Sequence, residues 1–368
     1  MITPWIRSTY RSVNKTNTKN LIRLPTCRGM TTDGGQDEDV VNVSIEDAKE
    51  MTTMALKSLG WDDEDASLQA EIMTAAELCG NNQGLVKMYQ PELMAPSENA
   101  GKPIVERETD ISAVINGNQA PGMLAAVHAA DLAVSKCNPV SIVCTYNTGT
   151  SSGQLAFYAE RMARKGLIGL ALANSPEFVA AAPGGKPVFG TNPLSVSIPT
   201  VTGESPFVFD MATSAIALFG VLSAKAKNEP LPPNVAFGKD GNWTTDASEA
   251  LDGGAISTFG GHKGVGLSLC VEILAGALSG AAVLGQVDSK RAAKNWGHTF
   301  IAIQPSAFVD DFPQRASSII DTVQKSGDNI RIPGQNSARI AKERRESGKL
   351  PIPKAIWESI LNTAKKAS

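Results

Sequence analysis

The sequence predicts an α/β enzyme, on three observations. Residues 141–173 read in the order buried strand, loop, helix, buried strand, the pattern of an α/β core. The composition is 42% hydrophobic but only 5% aromatic, with 33 glycines, which suits a compact α/β enzyme better than a binding module. A glycine-rich loop, FGGHKGVG at 259–266, runs directly into a helical pattern, LSLCVEILAGALSGA at 267–281.

The elements follow in order. Ser44 reads as an N-cap with Glu46 and Asp47 in the first turn of a helix that Gly60 ends. A second helix runs from about Asp62 to Cys79, and Gly80 closes it into the loop 80–84. Residues 104–107 and 111–116 read as a short hairpin with Asn116-Gly117 as its turn signal. An alanine-rich helix at 124–136 precedes the strand SIVCTYN at 141–147. Helix 154–165 and strand 167–173 come next, and 187–200 and 206–214 contribute two more strands. Residues 225–258 read as a polar excursion rich in Pro and Gly. A strand at 299–303 follows the glycine-rich loop and its helix. The remainder reads as helical, broken by a loop at 331–335 and including a charged helix at 339–345.

The chain has 368 residues, enough for two domains, and a net charge of −3, which excludes nucleic-acid binding through a basic surface. Its cysteines (Cys27, Cys79, Cys137, Cys144 and Cys270) are scattered without pairing rhythm, which predicts unpaired, mostly buried thiols in a reducing compartment. Cys144 and Cys270 sit in apolar runs and read as packing residues. The first 32 residues carry Arg7, Arg11, Lys15, Lys19, Arg23 and Arg28 and no acid before Asp33. That is the composition of a transit peptide, mitochondrial ahead of plastid, with a disordered tail or a start at Met30 (and a cytoplasmic protein) as alternatives. Residues 33–40 read as an acidic linker. The apolar run 267–284 contains only Glu272 as a charge; its glycines and alanines predict a buried helix and no membrane span.

The glycine-rich loop has two readings: a plain turn capping a buried helix, or a cradle in which backbone N–H groups and Lys263 approach a phosphate. No G-x-G-x-x-G follows a predicted strand and no phosphate-binding G-x-x-x-x-G-K-S/T occurs, so neither standard nucleotide site is supported. No metal site is expected.

Several stretches together resemble one family. GTNPLSVSIP (190–199), FDMATSA (209–215), GGHKGVGLSL (260–269), LAGALSGA (274–281) and RIPG (331–334) are similar to the type-2 malate/L-lactate dehydrogenases. That family also contains sulfolactate, ureidoglycolate and diketogulonate oxidoreductases and reductases of cyclic imino acids. The resemblance runs from about Val43 to the C-terminus. It implies an oxidoreductase using NAD or NADP on a small carboxylate-bearing substrate. It also implies a non-Rossmann mixed-sheet cofactor domain at 116–304, and a helical substrate domain from 41–115 plus 305–368. A homodimer with cofactor sites near the subunit interface is the family's usual assembly. The family's cofactor contacts fall here on Phe207, Val208, Phe209, Asp210, Met211 and Ala212, on His262 and Lys263, and on Gly334, Gln335 and Asn336.

The chain departs from the family where the proton moves. The family's Ser-His-Gly-Val-x-Arg loop, whose histidine is the general acid/base, corresponds to Asn82, Gln83, Gly84, Leu85, Val86 and Lys87. A glutamine amide holds a carbonyl but exchanges no proton near neutral pH, and losing a positioned acid removes on the order of 10²- to 10⁴-fold in rate. A second family histidine matches Ser151. Of the three histidines present, His128 and His298 read as structural or surface residues and His262 as a cofactor neighbour. Lys87 would clamp a substrate carboxylate or supply the proton. Asp210 would pair with a cationic iminium or cap the turn at 211–213. The catalytic candidates are therefore Gln83, Lys87 and Asp210. Three functions stand open: a 2-hydroxy/2-oxo acid dehydrogenase, a cyclic imino acid reductase, and a nucleotide-binding protein without turnover.

Overall fold

The computed structural model describes residues 40–81, 83–201, 205–284, 286 and 295–367; the transit-peptide reading, Cys27 and Asn82 lie outside the described residues. In chain order its strands are β1 (Val40–Ser44), β2 (Ile104–Glu108), β3 (Ser112–Asn116), β4 (Val140–Thr148), β5 (Ile168–Ala173), β6 (Val179–Ala180), β7 (Pro187–Phe189), β8 (Leu194–Ile198), β9 (Phe207–Met211), β10 (Ala236–Phe237), β11 (Trp243–Thr244), β12 (Ala255–Ser257), β13 (Trp296–Ile303) and β14 (Lys349–Pro353). Its helices are α1 (Ile45–Ser58), α2 (Asp63–Leu78), α3 (Gly122–Lys136), α4 (Ala156–Ala163), α5 (Leu218–Lys227), α6 (Ala247–Leu251), α7 (His262–Val271), α8 (Phe312–Gln324), α9 (Gln335–Ser347) and α10 (Lys354–Ala364).

The main sheet has seven strands in the order β2-β3-β4-β13-β5-β8-β9. Only β3 and β4 pair parallel, joined by α3; the other neighbours run antiparallel. A Rossmann sheet is parallel throughout its nucleotide half, so this mixed sheet is a different scaffold. The expected β4–α4–β5 order is present, but β13 inserts between the two strands and bonds to both. Alanines 125, 126, 129, 130 and 133 of α3 are fully buried, and their small side chains let the helix lie close on the sheet. Tyr158 of α4 packs edge-on against Phe300 of β13, ring centroids 5.8 Å apart.

Several expectations are corrected. The β2–β3 turn falls at 109–111, where Thr109 N–H donates to Ser112 O at 2.8 Å; Asn116 ends the second strand and Gly117 follows it. The excursion at 225–258 is structured: β10, β11 and β12 join β6 and β7 in a five-stranded sheet. The C-terminal region is not wholly helical, because β14 pairs antiparallel with β1, Val40 opposite Pro353. Both strands are short, and among the described residues each finds its ladder partner only in the other.

The apolar run at 267–284 is not buried all round. α7 passes into a π-helical turn, Glu272–Ala277, and one face of this unit carries exposed Leu267, Leu269, Ile273, Leu274 and Leu278. Cys270 is exposed beside them, against the packing role read for it, whereas Cys144 is buried. Among the described residues no helix is long and apolar enough to cross a membrane.

Candidate active site

The β4–α4 connection, residues 149–155, is the hub that gathers the candidates. Lys87 lies in the short 3₁₀ segment Leu85–Tyr89, and its Nζ donates to Ser151 Oγ at 2.7 Å. The same ammonium stands 5.7 Å from the ring centre of Phe219, at the start of α5. Burial lowers the Lys87 pKa from 10.5 to about 8, because an ammonium sheltered from water loses part of its hydration. Gln83 stands beside the hub: its backbone carbonyl oxygen is 3.5 Å from where a Cβ on Gly153 would sit. Tyr158 fixes the hub from below, its hydroxyl donating to Ser152 O at 2.6 Å.

Asp210, on β9, reaches the far end of the same connection. Its Oδ2 accepts the N–H of Ala156, the first residue of α4, at 2.9 Å. The cap therefore serves α4, not the turn at 211–213. A carboxylate at a helix N-terminus is favoured by the peptide dipoles, yet burial dominates and raises the Asp210 pKa from 3.8 to about 6.

The cofactor candidates converge on β9, an edge strand of the main sheet. Gly334 packs against it so closely that a Cβ would sit 2.5 Å from Val208 O, and its φ of +83° suits glycine alone. The glycine-rich loop docks on the continuation of β9: Phe259 N–H donates to Thr213 O at 3.1 Å, and Ser214 bridges Thr258. His262 and Lys263 form the exposed first turn of α7 rather than part of the loop. Gln335 and Asn336 follow Gly334 in the first turn of α9, and their side chains turn to neighbours. Gln335 Nε2 donates to Gln324 Oε1 at 3.1 Å, and Asn336 Oδ1 accepts from Arg339 at 2.9 Å. Phe207, Phe209, Met211 and Ala212 stay with Asp210 and Val208 along the strand and its exit.

The segment fits a dinucleotide phosphate. Gly260 (φ +57°) and Gly261 (φ +61°) have open space where a Cβ would stand, and α7 has no side-chain cap on its first N–H groups. An anion can therefore approach uncapped backbone donors beside His262 and Lys263. Among the described residues no three metal-ligating side chains come together.

The residues behind this loop were not singled out by the sequence. Glu272 is buried, and its Oε2 accepts from Asn192 Nδ2 at 2.8 Å while Oε1 accepts Leu284 N–H at 3.1 Å. Ser268 Oγ donates to Thr213 Oγ1 at 2.8 Å, and Asn192 Nδ2 also reaches Ser268 O at 3.2 Å. This network joins the 190–194 segment, the end of β9 and the α7 unit. Its signal was present: a lone carboxylate in an apolar run requires partners. Lys87 takes Ser151, not a histidine, as its hydrogen-bond partner. His128 is exposed on α3. His298 is fully buried in β13, shares a 2.7 Å hydrogen bond with Thr145 Oγ1, and is pushed down to about 4 by burial.

Comparison with known proteins gives a consistent set of relatives. A family model described as malate/L-lactate dehydrogenase matches residues 43–361. A malate/(S)-sulfolactate dehydrogenase of Methanothermus fervidus is 32% identical over 333 residues, covering 88% of this chain and 97% of its own. Malate dehydrogenase from Entamoeba histolytica superposes with a TM-score of 0.81 at 26% identity, over 89% of this chain and 98% of its own. Δ1-piperideine-2-carboxylate reductase from Pseudomonas syringae pvar. tomato gives a TM-score of 0.80 at 27% identity, over 88% and 99%.

Proposed function

Since the chain belongs to the malate/L-lactate dehydrogenase family, and is therefore an NAD(P)-dependent oxidoreductase, we propose that it reduces C2 of a small 2-oxo carboxylic acid with Lys87 as proton donor. The observation that carries this reading is the Lys87–Ser151 pair at 2.7 Å, held out of water where the family histidine is replaced by Gln83. When bound, the nicotinamide supplies or accepts hydride at C4. Lys87 protonates the oxygen that gains charge at C2, with the Ser151 hydroxyl holding the ammonium in place. Phe219 limits water at the ammonium, and the Gln83 amide orients the substrate carbonyl or carboxylate. Uncapped α7 donors, Lys263 and the Gly334 backbone hold the cofactor along β9.

Protonated Lys87 is the acid, so reduction should fall as pH rises past about 8 and oxidation should rise. The test is NADH and NADPH oxidation with pyruvate, oxaloacetate and Δ1-piperideine-2-carboxylate. Lys87→Met should lower oxo-acid turnover on the order of 10²-fold and abolish the decline above pH 8. Unchanged oxo-acid turnover in Lys87→Met would sink the reading.

A second reading, cyclic imino acid reduction, is favoured by Gln83 standing where the family has its histidine and by Lys87 taking Ser151 as its hydrogen-bond partner. A cyclic imine protonated in solution needs no enzymatic acid. Imine turnover that survives Lys87→Met, with no oxo-acid turnover in the parent enzyme, would select it. The exposed leucine and isoleucine face of α7 and its π turn supports a homodimer built on that face. The basic, acid-free stretch before Asp33 supports mitochondrial import. A fluorescent fusion to residues 1–40 that stays diffuse in the cytosol would refute that.

A further inference from the structure

We infer that Glu77 is a positioning residue for the substrate side of the reaction: it holds the turn that carries Lys87 and ties that turn, through Arg344, to the helix that begins at the cofactor strand. The inference rests on Lys87 being the group that meets substrate. Glu77 occupies the last turn of α2, and its Oε1 accepts the N–H of Leu85, first residue of the Lys87 turn, at 3.1 Å. Just before Leu85, Gly84 lies so close to α2 that a Cβ would sit 2.2 Å from Met73 O. The turn is thus held on α2 at two successive residues, with Lys87 two positions beyond.

The second connection leaves from the backbone of the same residue. Glu77 O accepts a hydrogen bond from the Arg344 guanidinium near the end of α9. The other end of α9 follows Gly334, which packs on Val208. A rigid helix therefore runs from the cofactor strand to the residue that holds the Lys87 turn. At this end of α2, α9 brings the Arg344 charge to Glu77 and the 3₁₀ turn the Leu85 N–H, while Arg345 of α9 and Glu160 of α4 face the neighbouring Cys79.

Burial raises the Glu77 pKa from 4.5 to about 7, so its charge changes in the working pH range. An ionised carboxylate holds Leu85 N–H more strongly than a protonated one. The turn should tighten as pH rises through about 7, lowering substrate KM on that limb. Glu77→Gln keeps an acceptor of the same shape but never carries charge. We expect it to raise substrate KM roughly 3- to 10-fold at pH 8, to flatten the limb near 7, and to leave KM for NADH and NADPH unchanged. Arg344→Ala should raise KM for substrate and cofactor together, because it releases α9 from the turn.

The measurements are initial rates from pH 6 to 9 on the full chain, with NADPH or NADH and each of the three substrates above, for Glu77→Gln, Arg344→Ala and Lys87→Met. A parental substrate KM and pH profile in Glu77→Gln, alongside an impaired Lys87→Met, would overturn the inference and leave the reading of Lys87 standing. An unimpaired Lys87→Met would remove both. Glu77→Gln conserves size and acceptor, so the comparison does not depend on a variant that fails to fold.

Discussion

A lysine taken out of water and given one hydroxyl partner loses preference for its charged form, and Lys87 illustrates the consequence. Its folded pKa lies below its unfolded one, so its contribution to stability is complete above about 10.5 and is lost as pH falls through about 8. An arginine at this position would donate no proton near neutral pH. Asp210 has the opposite sign. Its pKa is raised from 3.8 to about 6, so its stabilising contribution is complete below 3.8 and is lost as pH rises through about 6. Asp210→Asn keeps an acceptor for Ala156 N–H and removes the charge. Urea unfolding should therefore show a gain on the order of 2 kcal/mol at pH 7.5 and little change at pH 4. If Asp210 also meets a cationic iminium, the same variant should lose imine turnover selectively. Tyr158→Phe removes the hydroxyl that pins Ser152 O, and should cost about 1 kcal/mol while lowering kcat more than it raises KM.

Elements position these groups through a few backbone approaches that tolerate no side chain. Gly334 is the clearest, combining a left-handed φ of +83° with a 2.5 Å approach to Val208 O. Gly334→Ala must move α9 off β9. We expect a stability loss of about 1–3 kcal/mol, and a KM for NAD(P)H raised more than that for substrate. A cofactor KM equal to the parent's would show that α9 lies outside the cofactor site. The buried Asn192–Glu272–Leu284 network acts at the same scale, since it fixes the α7 unit whose first turn holds His262 and Lys263.

For the whole molecule, the face formed by Leu267, Leu269, Ile273, Leu274 and Leu278 is the proposed dimer surface. Ile273 is 58% exposed and Leu278 54%, an apolar stripe of the kind that soluble chains cover. Ile273→Lys with Leu278→Lys should convert a dimer into monomers in sedimentation velocity and weaken NAD(P)H binding through α7. A parent chain that sediments as a monomer would refute the proposal. Global pH stability follows from opposed groups. The buried, neutral His298 contributes fully above 6.5 and loses that contribution as pH falls to about 4. Glu77 and Asp210 gain over a similar range as they take up protons. Unfolding midpoints should therefore rise rather than fall as pH drops from 7 to 4.5, because the two carboxyls together outweigh His298.

By itself, the sequence determined the fold class, the family and most segment boundaries, because these rest on local signals. Ser44 and Asp62 cap α1 and α2 as read, each side chain accepting an N–H three residues on. The same local signals placed the strands at 141–147 and 167–173 and marked the family motifs. They also showed that Gln83, Lys87 and Ser151 stand where the family pattern changes. Only the tertiary structure decided what lies between and beneath those segments. It put β13 between β4 and β5, paired β1 with β14, and turned Asp210 to the start of α4. It also gave Lys87 its Ser151 partner and made Glu77 the support of the Lys87 turn. Apart from the Glu77–Leu85 bond, which spans 8 positions, each of these joins residues from 54 to more than 300 positions apart. Such contacts are fixed when the core closes, and no local pattern encodes them.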